Sequence, residues 1–310
     1  MNKILVTGGA GNLGSALVAK LSDNPENRVV IVDNLRTGEI KNVPVFRSNI
    51  HFIKADVNKL NEISPIMVAN SFDYVFHYAA LVGVKRTLAH PVDVLNDIDG
   101  IKNILDLSKN LGVKRIIFSS SSEVYGEAIE VPQKEDTTPL NARLPYAVVK
   151  NLGEVYLKAY QREYGLPYNV YRFFNTYGPN QTEDFVIPRF LKSAIRGEDL
   201  VVYGDGLQTR TFCYVDDNVE ATIRASFDAK YVNKTINIGS DIEISIIDLA
   251  ENILKIVNSR SGIKHVPPLK EGDMARRLPD IATMKNILQR DLIPLDEGIR
   301  KLLHGSDYGK

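Results

Sequence analysis

Cysteine is nearly absent: Cys213 is the only one in 310 residues. No intramolecular disulfide can form, no cysteine-rich metal site exists, and a reducing, cytoplasmic setting is expected. Long apolar runs are missing too; none reaches about 18 residues, so no membrane span is expected. Neither sign of charge prevails, with 38 Lys plus Arg against 38 Asp plus Glu. That balance provides no global field to draw the chain to nucleic acid or to an acidic membrane. The five histidines show no metal-ligand spacing, and no metal is expected. Ile4-Leu5-Val6 leads directly to Thr7-Gly8-Gly9, too soon for the apolar region of a secretory leader. Repeats and low-complexity tracts are lacking as well.

With 44% hydrophobic and 25% charged residues, the composition suits a soluble enzyme with one sizeable core and a smaller lobe. Short β-branched runs recur: "KILVT" at 3, "RVVIVD" at 28, "HFIKA" at 51, "DYVFHYAA" at 73, "RIIFSS" at 115 and "YNVYRFF" at 168. Helix-like segments separate them. Apolar strands alternating with helices indicate a parallel sheet covered on both faces, a doubly wound α/β domain of the Rossmann type. Beyond about residue 175 the texture changes, with dense Pro and Gly ("NTYGPNQ", "VYGDGLQ") and a helical stretch at 185–195. We expect a dinucleotide-binding domain over 1–175 with a return at about 212–240, and a smaller, discontinuous α/β substrate-binding lobe over 176–310. Residues 267–280 read as a long loop closing over something.

"TGGAGNLGS" follows the first strand and opens a helix. Gly8, Gly11 and Gly14 allow a tight turn, close approach to a pyrophosphate and close helix packing, with the amides of Asn12 and Leu13 at the helix start. Asp33, nineteen residues past Gly14, stands where a carboxylate accepts from ribose hydroxyls, followed by Asn34. It would repel a 2′-phosphate, so NAD is the expected cofactor rather than NADP, although Arg36 lies close by. Asp56 and Val57 after the third strand, and Ala79 and Ala80 after the fourth, should line the same edge, with Asp56 toward the adenine. His77 reads as a satisfied strand-end histidine, not a ligand.

Further along, "FSSSSEVYGE" places four hydroxyls at the end of an apolar strand, and Pro145 opens an amphipathic helix. Tyr146 and Lys150 are four apart and share a face. A phenol is a poor base at neutral pH. A neighbouring ammonium, helped by a positive nicotinamide ring, would favour the phenolate.

Together the glycine loop, Asp33, the strand-end serines and Tyr-x-x-x-Lys resemble the extended short-chain dehydrogenase/reductases, in the NAD-dependent nucleotide-sugar epimerase/dehydratase branch. "RFFNTYGPNQ", "VYGDGLQTRTFCYVDD", "NIGS" and "EGDMARRLPD" extend the likeness over nearly the whole chain. The resemblance implies Ser121, Tyr146 and Lys150 as catalytic residues, with Tyr146 and Lys150 also touching NAD. It implies a UDP-sugar held by Ser121, Ser122, Glu123, Tyr146, Asn175, Val186, Tyr203, Arg210 and Arg277, with Lys270 and Arg276 as further candidates. Many relatives carry Asn where Asp97 stands here, beside Asn96.

By the same resemblance the first expectation is a UDP-sugar 4-epimerase passing through a 4-keto intermediate, on a plain hexose or an N-acetylhexosamine. A 4,6-dehydratase would need an acid where Ser122 stands. The alternatives are a UDP-glucuronate decarboxylase, since "SSE" at 121–123 is one methyl from the Thr-Ser-Glu of those enzymes, and other NAD-dependent nucleotide-sugar chemistry such as a 4-reductase or 5-epimerase. Arg277 suits a uronate carboxylate, the diphosphate or an outward orientation. Helices at 92–110 and 145–164 match those through which relatives form homodimers.

Overall fold

The computed structural model describes residues 1–127, 129–268 and 276–305. Six strands in chain order, β1 (Asn2–Thr7), β2 (Asn27–Asp33), β3 (Ile50–Lys54), β4 (Tyr74–His77), β5 (Arg115–Ser121) and β6 (Tyr168–Phe173), share one sheet with the strand Lys234–Ile238. From the Lys234–Ile238 edge, the order continues through β6, β5, β4, β1 and β2 to β3, and every neighbouring pair is parallel. This is the doubly wound α/β fold, and its order reverses between β1 and β4, where such sheets open a ligand crevice. The inner strands are buried on both faces: β6 has no exposed residue, and in β1 the run Ile4–Thr7 is fully covered. Two apolar clusters form the layers, one holding Ile4, Val6, Val29 and Ile31, the other Leu5, Val30, Val32 and Val75. Each such aliphatic side chain contributes about 1.5–3 kcal/mol on burial.

Register aligns the carboxyl ends. Thr7 lies between Val32 and His77, and Ser121 pairs with Phe173. The helix Pro145–Tyr164 then packs across the end of β5, burying Val149, Lys150, Glu154 and Leu157. Gly153 permits this approach, because a Cβ there would stand 2.5 Å from the Phe118 ring. Beneath the helix lies a buried ion pair. Arg172 donates from Nε and Nη2 to the Glu154 carboxylate at 2.9 and 2.7 Å. Ser120 Oγ donates to the same carboxylate at 2.6 Å, while Arg172 Nη1 donates to Tyr125 Oη at 2.7 Å.

The remaining chain builds small paired strands: Thr176–Tyr177 with Cys213–Tyr214, Leu200–Tyr203 with Ile263–Val266, and Thr209–Thr211 with Glu243–Ser245. Helix Val215–Phe227 packs on helix Asn12–Leu21, and the strand Lys234–Ile238 closes the main sheet beside β6. Cys213 is buried with a free thiol. Among the described residues, no helix is long and apolar enough to cross a membrane, and no His, Cys, Asp and Glu cluster suits a metal.

Candidate active site

One cleft of about 400 Å³ runs along the carboxyl ends of the strands. At its glycine end the helix Asn12–Leu21 begins without a side-chain cap, which leaves its first N–H groups for an anion. Gly14 fits against the loop so closely that a Cβ would lie 2.1 Å from the Gly8 carbonyl oxygen. Asn12 Oδ1 is buried without a hydrogen-bond partner among the described residues. Asp33 is clamped from both sides: Ala10 N–H donates to Oδ2 at 2.9 Å and Leu35 N–H to Oδ1 at 2.8 Å. Both acceptor oxygens keep a lone pair for further donors. Arg36 pairs with Asp93, across the rim. An uncapped helix start, an orphaned amide oxygen and a fixed carboxylate are the features a dinucleotide requires. Asn34, Asp56, Val57, Ala79 and Ala80 line the same wall as Gly8, Gly11 and Leu13.

At the opposite end β5 delivers Ser121, the short 3-10 turn Ser122–Tyr125 that follows it delivers Ser122 and Glu123, and the first turn of helix Pro145–Tyr164 delivers Tyr146. Ser121 hydrogen-bonds Tyr146 and also accepts from Glu123 N–H at 3.2 Å. Lys150, four residues on and 3% exposed, donates from Nζ to the Ser119 carbonyl at 2.6 Å. Its ammonium lies 4.9 Å from the Phe118 ring centroid and 5.7 Å from that of Tyr146. Burial lowers this ammonium to about 8, while the Asp97 charge opposes the fall. The depressed phenol suggested by the Tyr-x-x-x-Lys spacing is not what the protein alone produces. Burial, then the Glu123 charge, raises Tyr146 well above an ordinary phenol; the Ser121 hydrogen bond and the Arg277 charge work the other way. His77 is buried against Thr7 Oγ1 at 2.9 Å, and burial, then the Lys150 charge, lowers it to about 3, so it stays neutral.

Arg277 reaches this end from the far side of the chain. It is 7% exposed and lines the cleft. Nη1 lies 3.4 Å from Ser122 Oγ and 3.9 Å from Glu123 Oε1. The result is a hydroxyl pair, a carboxylate and a guanidinium around one pocket, able to move a proton at an alcohol oxygen and hold an anion beside it.

Asn175 and Val186 also line the cleft, and Asn175 donates to the Thr211 carbonyl at 2.9 Å. Two expected contacts are not among its lining residues. Tyr203 stacks against Arg189 at 5.4 Å, and Arg210, 8% exposed, donates to the Thr209 carbonyl at 2.7 Å. Arg276 is turned toward Glu243, with contacts of 2.8 and 2.6 Å. Lys270 and the "EGDM" segment lie outside the described residues. Sequence reasoning missed Asn58, Arg86 and Phe185, which also line the cleft. Arg86 bridges to Asp184 at 2.9 Å, 98 positions away, a pairing that no local pattern signals.

The NAD dependent epimerase/dehydratase family model matches residues 4–239. The chain is 39% identical over 300 residues to UDP-N-acetyl-alpha-D-glucosaminuronate decarboxylase of Bacillus cytotoxicus, covering 93% of this chain and 92% of that protein. It is 35% identical over 297 residues to UDP-glucuronic acid decarboxylase 3 of Arabidopsis thaliana, covering 92% and 83%. Among solved structures, UDP-glucose 4-epimerase from Thermotoga maritima, crystallised with UDP-glucose, superposes with a TM-score of 0.91 at 33% identity over 97% of both chains.

Proposed function

The chain belongs to the NAD dependent epimerase/dehydratase family, and from that premise we propose that it removes carbon dioxide from a UDP-linked hexuronate. The 4-epimerase expectation came first on sequence. The buried guanidinium of Arg277 beside Ser122 and Glu123 moves the decarboxylase ahead, because next to those residues a uronate carboxylate would give it an anion that the ring of a neutral hexose does not. The names of two relatives support this reading.

Gly8, Gly11, Asn12, Leu13 and Gly14 would hold the cofactor's pyrophosphate, Asp33 and Asn34 its adenosine ribose, and Asp56 and Val57 its adenine. Ala79 and Ala80 would face its nicotinamide half. NAD, when bound, supplies the hydride acceptor for C4 of the sugar, a charge that favours the Tyr146 phenolate, and the hydride that later returns. Tyr146 Oη takes the 4-hydroxyl proton, and Ser121 orients that hydroxyl. Lys150 would hold the nicotinamide ribose and keep a positive charge near the phenol. Arg277 fixes the C6 carboxylate. With a ketone at C4 the substrate is a β-keto acid: the C5–C6 bond breaks, carbon dioxide leaves, and the electron pair passes into the C4 enolate. C5 then takes a proton, and Tyr146 returns one to O4, so the sequence is redox-neutral.

The 4-epimerase remains the second reading, favoured by the superposition on an epimerase across the whole chain. It needs the same Ser121, Tyr146 and Lys150 and no loss of carbon. Separating products after incubation with UDP-glucuronate, UDP-N-acetylglucosaminuronate, UDP-glucose and UDP-N-acetylglucosamine distinguishes the two. A UDP-pentose from a uronate is the expected result; 4-epimers of the neutral sugars, with both uronates untouched, would overturn it. We also propose a homodimer, supported by the exposed apolar side chains of Val92, Leu95, Val148, Leu152 and Val155 on neighbouring helices.

A further inference from the structure

Asp97 begins the helix Asp97–Leu111, in the place where many relatives carry asparagine, and it lines the cleft. Its two oxygens each accept a hydrogen bond. Leu81 N–H donates to Oδ2 at 2.7 Å, and Asn58 Nδ2 donates to Oδ1 at 3.2 Å. The Asn58 amide is itself oriented, because its Oδ1 accepts from Gly100 N–H at 3.1 Å. A donor therefore faces each oxygen of residue 97, and an asparagine would set its own NH₂ group against one of them. The local structure calls for a carboxylate, and it stands in the same cleft as Tyr146, on a helix packed against the helix that carries Tyr146 and Lys150.

We propose that Asp97 is a positioning residue whose charge, fixed by Asn58 and Leu81, sets the protonation of the Tyr146 and Lys150 pair. The inference rests on the proposed acid/base role of that pair and not on the choice of sugar.

The other charged groups around the pair are accounted for. Lys150 faces Asp97, the neutral His77 and the Ser119 carbonyl. Glu154, one turn on, is tied to Arg172 and Ser120. Tyr146 feels Glu123 and Asp97 as opposing charges and Arg277 as a helping one. Asp97 feels Lys150 as a helping charge and Asp56 as an opposing one, with burial raising its pKa. The direction follows from these signs. Removing the Asp97 charge destabilises the Lys150 ammonium and relieves the Tyr146 phenolate, so both groups lose their protons at lower pH.

The test uses the NAD-loaded enzyme with Asp97→Asn, and Asp97→Ser if the amide prevents folding. Lysine labelled with ¹³C at Cε reports the Lys150 midpoint without turnover, with Lys150→Arg identifying the signal. The expected result is a fall of about one pH unit, accompanied by a shift of both limbs of the kcat/KM profile toward acid. Asn58→Ala, which removes one of the two supports of that charge, should move the Lys150 midpoint and both limbs in the same direction by a smaller amount. A folded Asp97 variant with an unmoved Lys150 midpoint overturns the proposal, as does a moved midpoint with unmoved limbs. Absence of any uronate product sinks the decarboxylase reading alone, since the lysine titration needs no substrate.

Discussion

The two ends of the cleft are built by different means. The glycine end is made of backbone and one short stretch of chain: three glycines, an uncapped helix start and an aspartate held by two amides within about thirty residues. At the reactive end the parts are side chains carried by separate elements, with Ser121 and Glu123 on β5 and its extension, Tyr146 and Lys150 on a helix, and Arg277 from a segment 154 positions beyond Glu123. Backbone-made sites depend on conformation that a few residue types dictate. Side-chain sites depend on packing, and small changes there redirect the chemistry while the fold stays the same.

That contrast can be broken in four places. Tyr146→Phe has the largest expected effect: turnover should fall by about 10²–10⁴-fold while bound NAD, measured by its release on denaturation, is retained. Preserved turnover would mean the proton is moved elsewhere. Next, Glu154→Gln leaves the buried Arg172 without its counter-charge and should lower stability by about 3–5 kcal/mol in denaturant titration. A loss below about 1 kcal/mol would show that the reactive helix does not depend on this pair. Arg277→Met comes third. A lost charged hydrogen bond of about 1.5–3 kcal/mol corresponds to a roughly 10–100-fold fall in kcat/KM on a uronate, with NAD content unchanged. Equal losses on neutral sugars would remove the carboxylate from the account. Smallest is Asp33→Asn, which turns an NH₂ toward the Ala10 or Leu35 amide and costs about 1–3 kcal/mol. It should appear as weaker NAD binding by calorimetry, and unchanged affinity would contradict the assigned ribose contact.

The same contrast explains what was legible. The sheet could be read because its buried strands carry continuous apolar runs, as Val29 to Val32 in β2, and the glycine loop because its strand, turn and helix are adjacent in sequence. Tyr146 and Lys150 were visible through their four-residue spacing. Their electrostatics were not: the phenol is raised by burial and Glu123, and Lys150 is steadied by Asp97, which is brought to it by tertiary packing. Arg276 and Arg277 are neighbours in sequence with opposite fates, one paired with Glu243 and the other in the cleft. Only the fold separates them. The Arg172 and Glu154 pair gave no sequence signal, because nothing local distinguishes a buried arginine on a strand from a surface one.

Solvent deuterium tests the central claim most directly. The NAD-loaded enzyme is incubated with a UDP-hexuronate in D₂O and the product is read by proton NMR. Decarboxylation through the C4 enolate predicts a UDP-pentose carrying one deuterium at C5, with one carbon dioxide released per molecule. A product that keeps C6 and an undeuterated C5, with inversion at C4 alone, would contradict the decarboxylase and establish the epimerase.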